Sequence, residues 1–368
     1  MIKIDLRRLW LRLTENVDSL LLSFILMLML ISLGVLFSAS GQDLARISGQ
    51  MVNMSVALLL MWIVAKVPPQ HLARLALPVY IFGLLLLIGV ALFGDISHGA
   101  RRWLHVGVTR IQPSEMMKLA VPLMLAWYLD RREKTLNLKD FGVAVLMLLA
   151  PVGLILKQPD LGTSLLISAA GFYVLFLAGL SWRIILGLVG IGAASAPILW
   201  SLLHDYQRQR ILTLIDPSQD PLGSGYHIIQ SSIALGSGGV FGKGWFNGTQ
   251  THLDFLPERT TDFIFAVYAE EFGLAGNLIL LALYVLVIGR GLVIAAKAPT
   301  LFSRLLAGSI TLTFFTYAFV NMGMVSGILP VVGVPLPLIS YGGTSMVTLL
   351  VGFGMLMSIQ THRKLVQS

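Results

Sequence analysis

The chain contains no cysteine. That excludes a disulfide framework and a thiol nucleophile. Charge is also scarce: Asp, Glu, Lys and Arg make up 12% of its 368 residues, about half the share of an ordinary soluble domain. Acids are the scarcer kind, 18 against 26 Lys and Arg, for a net charge of +8. The first apolar run has no small-residue cleavage site after it, so it reads as a retained helix rather than a signal peptide. The apolar runs are long and continuous, without the alternation a membrane β-barrel needs.

What the chain has in abundance is hydrophobic sequence, 56% of its residues. Ten segments approach the roughly 20 apolar residues that cross a hydrocarbon core. They fall at 19–38, 47–66, 73–94, 113–130, 140–157, 160–179, 182–204, 262–290, 303–326 and 340–360. Backbone groups cannot go unpaired in lipid, so such runs are helices. The expected fold is an all-α polytopic membrane protein, a single integral membrane domain over 1–368 with about ten transmembrane helices. One long polar loop, 205–261, lies between spans seven and eight. The eighth run is overlong, and it is expected to turn near Gly273 before crossing.

Lysine and arginine set the orientation. Lys3, Arg7, Arg8 and Arg12, then Lys66 and Arg74, then Arg131, Arg132, Lys134 and Lys139, and finally Arg183, Arg290, Lys297, Arg304, Arg363 and Lys364 share one set of ends. Those ends, both termini included, are expected to be cytoplasmic, and the 205–261 loop faces outward. Positive charge distributed this way belongs to membrane topology, not to nucleic-acid binding. The exceptions are Arg46, Arg101, Arg102, Arg110, Lys118, Lys157, Arg208, Arg210, Lys243 and Arg259, in outward loops or just inside helices. A cation in such a place calls for an anionic partner.

Several constellations offer chemistry. Pro113-Ser114-Glu115-Met116-Met117-Lys118 opens the fourth span, with Pro favourable at a helix start. Glu115 and Lys118 share a helix face, either as a self-neutralising pair or as the lining of a polar cavity. Lys157-Gln158-Pro159-Asp160-Leu161-Gly162-Thr163 joins two spans with almost no loop. Asp160 is placed both to cap the next helix and to face the same cavity. In Asp205-Tyr206-Gln207-Arg208-Gln209-Arg210, guanidinium groups match phosphate geometry. Residues 228–239 read as an amphipathic interfacial helix with a glycine stop. The glycines from Gly236 to Gly244 lack the strand and the Lys-Ser/Thr of a nucleotide-binding loop. Residues 326–338 are apolar but too rich in Pro and Gly for a regular helix, so a protein-buried re-entrant loop is expected.

Glu258, Arg259 and Asp262 crowd the point where the polar loop gives way to an apolar helix. Thr261 and Asp262 have the chemistry of a helix cap. Asp262 also has the chemistry of a general base, which works best with a pKa near neutrality. A helix N-terminus lowers a carboxylate pKa, whereas burial and nearby acids raise it. The sequence leaves that contest open.

Seven motifs occur in order: Gly99-Ala100-Arg101-Arg102-Trp103-Leu104, Gln112-Pro113-Ser114-Glu115, Gln158 to Thr163, Tyr206 to Arg210, Gly225-Tyr226-His227, Leu256-Pro257-Glu258 through Asp262-Phe263, and Pro335-Leu336-Pro337 through Gly343. Together they resemble the shape, elongation, division and sporulation family of peptidoglycan glycosyltransferases, over about 20–365. Thr260 departs from the histidine that many members carry there.

The resemblance implies polymerisation of lipid II into glycan outside the bacterial cytoplasmic (inner) membrane. It implies a class B penicillin-binding protein transpeptidase and other elongation machinery proteins as partners, beside membrane lipid and nascent glycan. Asp262 is then the general base. Arg101, Arg102, Arg110, Lys118, Arg208 and Arg210 are candidates to hold the lipid pyrophosphate, alone or with a divalent cation (Mg or Mn). Glu115, Asp160 and Glu258 support them, and no organic cofactor is called for. The rival expectations are a lipid II flippase and a non-catalytic membrane scaffold for a transpeptidase.

Overall fold

The computed structural model describes residues 16–363 apart from 98–99, 107–108, 203–204, 221–222, 253–255 and 257. Helices occupy nearly all of it: α1 Ser19–Ala39, α2 Leu44–Ala65, α3 Pro69–Phe93, α4 Pro113–Arg131, α5 Leu138–Leu156, α6 Leu161–Leu177 and α7 Trp182–Leu202. Then come α8 Asp205–Ile215, α9 Ser224–Ser237, the four-residue α10 Thr249–His252, α11 Ile264–Ala296, α12 Leu301–Val325 and α13 Thr344–Thr361. Seven of them (α1, α2, α3, α5, α11, α12 and α13) are long and apolar enough to cross a membrane. Helix α6 and the first part of α7 are apolar but shorter, and α4 carries Glu115, Lys118, Asp130 and Arg131 along its length.

Local chemistry starts these helices where the sequence changes character. The Asp18 carboxylate accepts from the Leu21 amide and also pairs with Arg290 of α11, tying the first helix to the eleventh. Asp43 caps α2, and Asn137 and Asp140 form a reciprocal capping box at α5. Each cap satisfies amides that a first helical turn leaves without intrahelical partners.

One segment departs from the all-helical expectation. Between the third and fourth predicted spans, Asp95–Ser97 (β1), Ala100–Val106 (β2) and Thr109–Ile111 (β3) form an antiparallel meander. Val106 pairs with Thr109, and Leu104 with Ile111. Trp, Leu, Val and Ile suit a pleated surface, and pairing satisfies backbone groups that a bare loop leaves open.

Helix α11 turns at Gly273, where φ is +63° and ψ is −161°. The kink takes Leu274 and Ala275 away from their usual acceptors, the carbonyls of Glu270 and Glu271. The glycine-rich loop after α9 occupies the gap. Leu274 N donates to Gly239 O and Ala275 N to Val240 O, both at 2.9 Å. Lys243 N and Gly244 N donate to the Glu270 and Glu271 carbonyls at 3.0 Å. The Glu270 side chain pairs with Lys243 Nζ at 2.7 Å, and Ser38 of α1 donates to Glu271. Those glycines therefore serve close backbone approach rather than phosphate binding. A β-carbon at Gly273 would collide with the Gly242 amide, and the left-handed φ disfavours any other residue. Gly273→Ala is expected to cost about 2 kcal/mol or more, read as a lowered unfolding midpoint in detergent; an unchanged midpoint would contradict this account of the kink.

Residues 326–343 contain no regular helix. Their second half is held inside the protein, with Val334, Leu336, Leu338 and Ile339 buried, whereas Ile328 is exposed. Tyr284 of α11 donates to the Pro337 carbonyl at 2.7 Å. From α2, Gln50 donates to Ser340 O and accepts from Gly342 N. Irregular backbone among apolar helices is stable only with such internal partners.

Candidate active site

Asp262 lies in the turn that feeds α11. The N-cap of that helix is Phe263, with no side-chain cap bond, so the capping expected of Thr261 and Asp262 is not what the structure has. Thr261 instead donates its hydroxyl to Glu258 Oε2 at 2.9 Å. The amides of Thr261 and Phe263 both donate to the Glu258 carbonyl.

Three successive carbonyls of the turn accept hydrogen bonds, two from the irregular 326–343 segment and one from α12. Thr260 O accepts from Tyr341 N at 2.9 Å, Thr261 O from Ser340 Oγ at 2.6 Å, and Asp262 O from Asn321 Nδ2 at 2.7 Å. Arg46 of α2 donates to the buried Thr260 hydroxyl at 3.0 Å.

No described residue donates a hydrogen bond to the Asp262 carboxylate. Burial first, and the nearby Glu258 charge second, push its pKa up to about 6. A base that is ionised at neutrality yet still basic has a pKa in this range.

The carboxylate faces the wall of a cavity. A β-carbon at Gly333 would lie 3.4 Å from Asp262 Oδ2, and Gly333 lines a polar cavity of about 210 Å³. The same cavity is lined by Arg102, Gln112, Glu115, Lys118, Asp160, Thr344 and Ser345. Four sequence-predicted residues from three separate parts of the chain, Arg102, Glu115 with Lys118, and Asp160, thereby line one cavity.

Lys118 Nζ pairs with Glu115 Oε1 at 2.6 Å, its side chain 5% exposed, and lies 5.0 Å from the ring centroid of Tyr317. Asp160 accepts from Thr163 N as the cap of α6 and stands 3.8 Å from Arg102 Nε. Glu115, Lys118 and Asp160 each make a structural contact and also line the cavity. Arg102 Nε and Glu115 Oε2 are buried without a hydrogen-bond partner among the described residues. An unpaired donor and an unpaired acceptor in one cavity suit a ligand that supplies both.

The other candidates are placed differently. Glu258 is exposed beside Asp262. Arg208 does not line the cavity: its Nε and Nη2 donate to the Trp200 and Ser201 carbonyls of α7. Freed carbonyls at a helix end attract a guanidinium, which is the physical reason it is held there. Arg101, Arg110 and Arg210 lie in β2, β3 and α8, and their side chains fall outside the described residues. His227 stacks on Phe263, with centroids 5.3 Å apart and 14° between planes, and burial lowers its pKa.

Among the described residues no three His, Asp or Glu side chains converge as a metal site. Glu115 and Asp160 are the two carboxylates of the cavity. Mg²⁺ typically takes one or two carboxylates plus substrate phosphates, and two carboxylates fall within that number.

An apolar groove of about 650 Å³ runs alongside, lined by α2, α3, α4 and α13 residues such as Val56, Leu75, Leu119 and Val351. It shares Gln112, Glu115 and Thr344 with the polar cavity. Sequence reasoning missed Gln50, Tyr317 and Asn321, all buried in apolar helices. A polar side chain inside an apolar run was the available signal.

Fold and site together define a multi-pass helical membrane protein whose charged cavity opens onto an apolar groove, a site for an amphiphile. The chain belongs to the cell cycle protein family of FtsW, RodA and SpoVE, whose model matches residues 17–365. It is 54% identical over 351 residues, 95% of either chain, to the peptidoglycan glycosyltransferase MrdB of Escherichia coli. With MrdB of Helicobacter pylori it shares 36% identity over 363 residues, 97% of this chain and 92% of the relative. Among solved structures it is similar to a peptidoglycan synthase complex that coordinates polymerization and crosslinking (TM-score 0.82, 35% identity, 94% of this chain and 98% of that one). The crystal structure of the rod shape determining protein RodA of Thermus thermophilus superposes with a TM-score of 0.72 at 31% identity, covering 94% and 97%.

Proposed function

We propose that this chain is a peptidoglycan glycosyltransferase that polymerises lipid II, with Asp262 as the general base. The observation that carries the reading is the Asp262 carboxylate: it accepts no hydrogen bond from any described residue, its pKa is raised to about 6, and it lies against Gly333, which lines the cavity that also holds the buried Lys118 and the partly exposed Arg102.

The acceptor is a sugar 4-hydroxyl, a weak nucleophile until its proton is removed. Asp262 takes that proton as the oxygen bonds to the donor's anomeric carbon. The bond from that carbon to the lipid pyrophosphate breaks, and the pyrophosphate leaves with the electron pair. Lys118 and Arg102 stabilise the charge that develops on it, and Arg101 and Arg110 of the adjacent meander are further candidates. Glu115 and Asp160 would hold a divalent cation brought in by the pyrophosphate, which would neutralise part of the same charge. Direct displacement of this kind inverts the anomeric centre and needs one essential carboxylate. The polyprenyl tail lies along the apolar groove.

The protein works in the bacterial cytoplasmic (inner) membrane, with both termini inside and the cavity facing outward, as the distribution of Lys and Arg supports. Its partner is a class B penicillin-binding protein transpeptidase, within the elongation machinery. The similarity to a synthase complex supports this pairing. The test is glycan formation from lipid II by the purified protein with such a partner. Glycan strands are the expected product. Movement of lipid II between leaflets with no glycan formed would replace the polymerase by a flippase, and neither activity would leave a scaffold.

A further inference from the structure

Asn321 is fully buried in α12, and among the described residues its hydrogen bonds go only to backbone carbonyls. Its amide nitrogen donates twice, to Asp262 O and to Val334 O, each at 2.7 Å. Both hydrogens are committed to carbonyls, so the amide has one orientation. Reversed, its oxygen would face two other oxygens at the same distance. Val334 and its neighbour Gly333 line the polar cavity, and Gly333 is the residue that the Asp262 carboxylate faces. One side chain therefore joins the peptide of Asp262 to the wall that Asp262 looks across.

The other two stitches do not reach that wall. Ser340 and Tyr341 hold the carbonyls of Thr261 and Thr260, and neither bonds to Gly333 or Val334 among the described contacts. The cost of the arrangement is visible: Asn321 Oδ1 is buried without a partner among the described residues. An unpaired buried acceptor is unfavourable, and local costs of this kind concentrate at functional sites.

We infer that Asn321 is a positioning residue for glycosyl transfer: it fixes the Asp262 carboxylate against the Gly333–Val334 wall so that the base meets the acceptor hydroxyl within the cavity. This rests on reading Asp262 as the base. An angstrom of misplacement at a reacting group costs about a hundredfold in rate. Loosening this bridge also admits water to a carboxylate whose basicity comes from burial and from Glu258, the charged group that faces it.

The experiment is steady-state polymerisation of lipid II across pH by the full chain with its partner transpeptidase. Asn321→Leu keeps the shape and removes both donors. It is expected to lower kcat by about a hundredfold with the KM for lipid II nearly unchanged, and to move the acid limb of kcat/KM below pH 6, toward an ordinary carboxylate. A merely structural role would reduce the folded fraction and leave both KM and the limb in place. Asn321→Asp, which donates one hydrogen bond in its neutral form, should retain an intermediate rate, and it serves if the leucine variant fails to fold.

A kcat within about threefold of wild type, well short of the hundredfold expected, overturns the inference. So does a loss fully accounted for by misfolding with an unmoved limb. Asp262→Asn in the same assay separates the two claims. If it polymerises normally, the base assignment fails. If it is inactive while Asn321→Leu behaves as wild type, only the positioning role fails.

Discussion

Asp262→Asn is expected to abolish glycan polymerisation while leaving the protein at least as stable as wild type. Removing a positioned general base typically costs 10² to 10⁴ in rate, on the order of 3–5 kcal/mol of transition-state stabilisation. The amide is nearly isosteric, and no described residue donates to the carboxylate, so no hydrogen bond is broken by the change.

Stability should move the other way. Folding raises the Asp262 pKa from 3.8 to about 6, so the folded state holds the proton more tightly. Between about pH 4 and pH 6 the native protein binds more protons than the unfolded chain. The contribution of this group to stability therefore falls as pH rises through that window, and the penalty is complete above it. Allowing for partial exposure, the penalty is on the order of 2 kcal/mol, and the asparagine variant lacks it. Wild-type activity should rise through about pH 6 as the carboxylate ionises. Polymerisation rates and unfolding midpoints measured from pH 4.5 to 8 check both statements, since each makes the opposite demand on the same residue. A variant that is inactive because it is unfolded would contradict them.

The second large effect is expected at Lys118. Lys118→Met leaves the largely buried Glu115 unpaired, and breaking a buried pair from one side costs about 3–5 kcal/mol. The ammonium also lies over Tyr317, and that contact is lost too. The single variant should be poorly folded and inactive. Combining it with Glu115→Gln removes the stranded charge, so folding should recover. Activity should not, because the cavity then has one cation fewer for a pyrophosphate. Detergent-phase thermal unfolding together with polymerisation of lipid II distinguishes these outcomes. Recovery of activity in the double variant would make the pair purely structural.

Much of the architecture was legible because membrane helices announce themselves by length and apolarity. The helix now spanning Ser19–Ala39 stands where an apolar run occupies 19–38, and the Gly273 turn stands where an overlong run demanded one. The meander at 95–111 was less visible, because its strands are three to seven residues long and too short for a clear period. At the site, charge in an apolar sequence singled out Glu115, Lys118, Asp160 and Asp262. That Glu115, Lys118 and Asp160 line one cavity, with Asp262 against its Gly333 wall, depends on packing between distant helices and was not written in any local pattern. Arg208 shows the converse: a guanidinium suited to phosphate is spent on the carbonyls of a helix end. Asn321 escaped notice because an uncharged amide in a 25-residue helix disturbs the hydropathy profile very little.

The polar cavity and the apolar groove share a common border at Gln112, Glu115 and Thr344. A molecule with a charged head and a hydrocarbon tail can straddle that border without moving either part into the wrong phase. Its tail exchanges one oily wall for another as it glides in from the bilayer. Arrival and departure then become two-dimensional events governed by lateral diffusion, and the relevant concentration is the number of carriers per unit area of membrane. Saturation should accordingly follow the mole fraction of lipid carrier in a vesicle, and dilution with inert lipid should slow the protein as surely as withholding substrate.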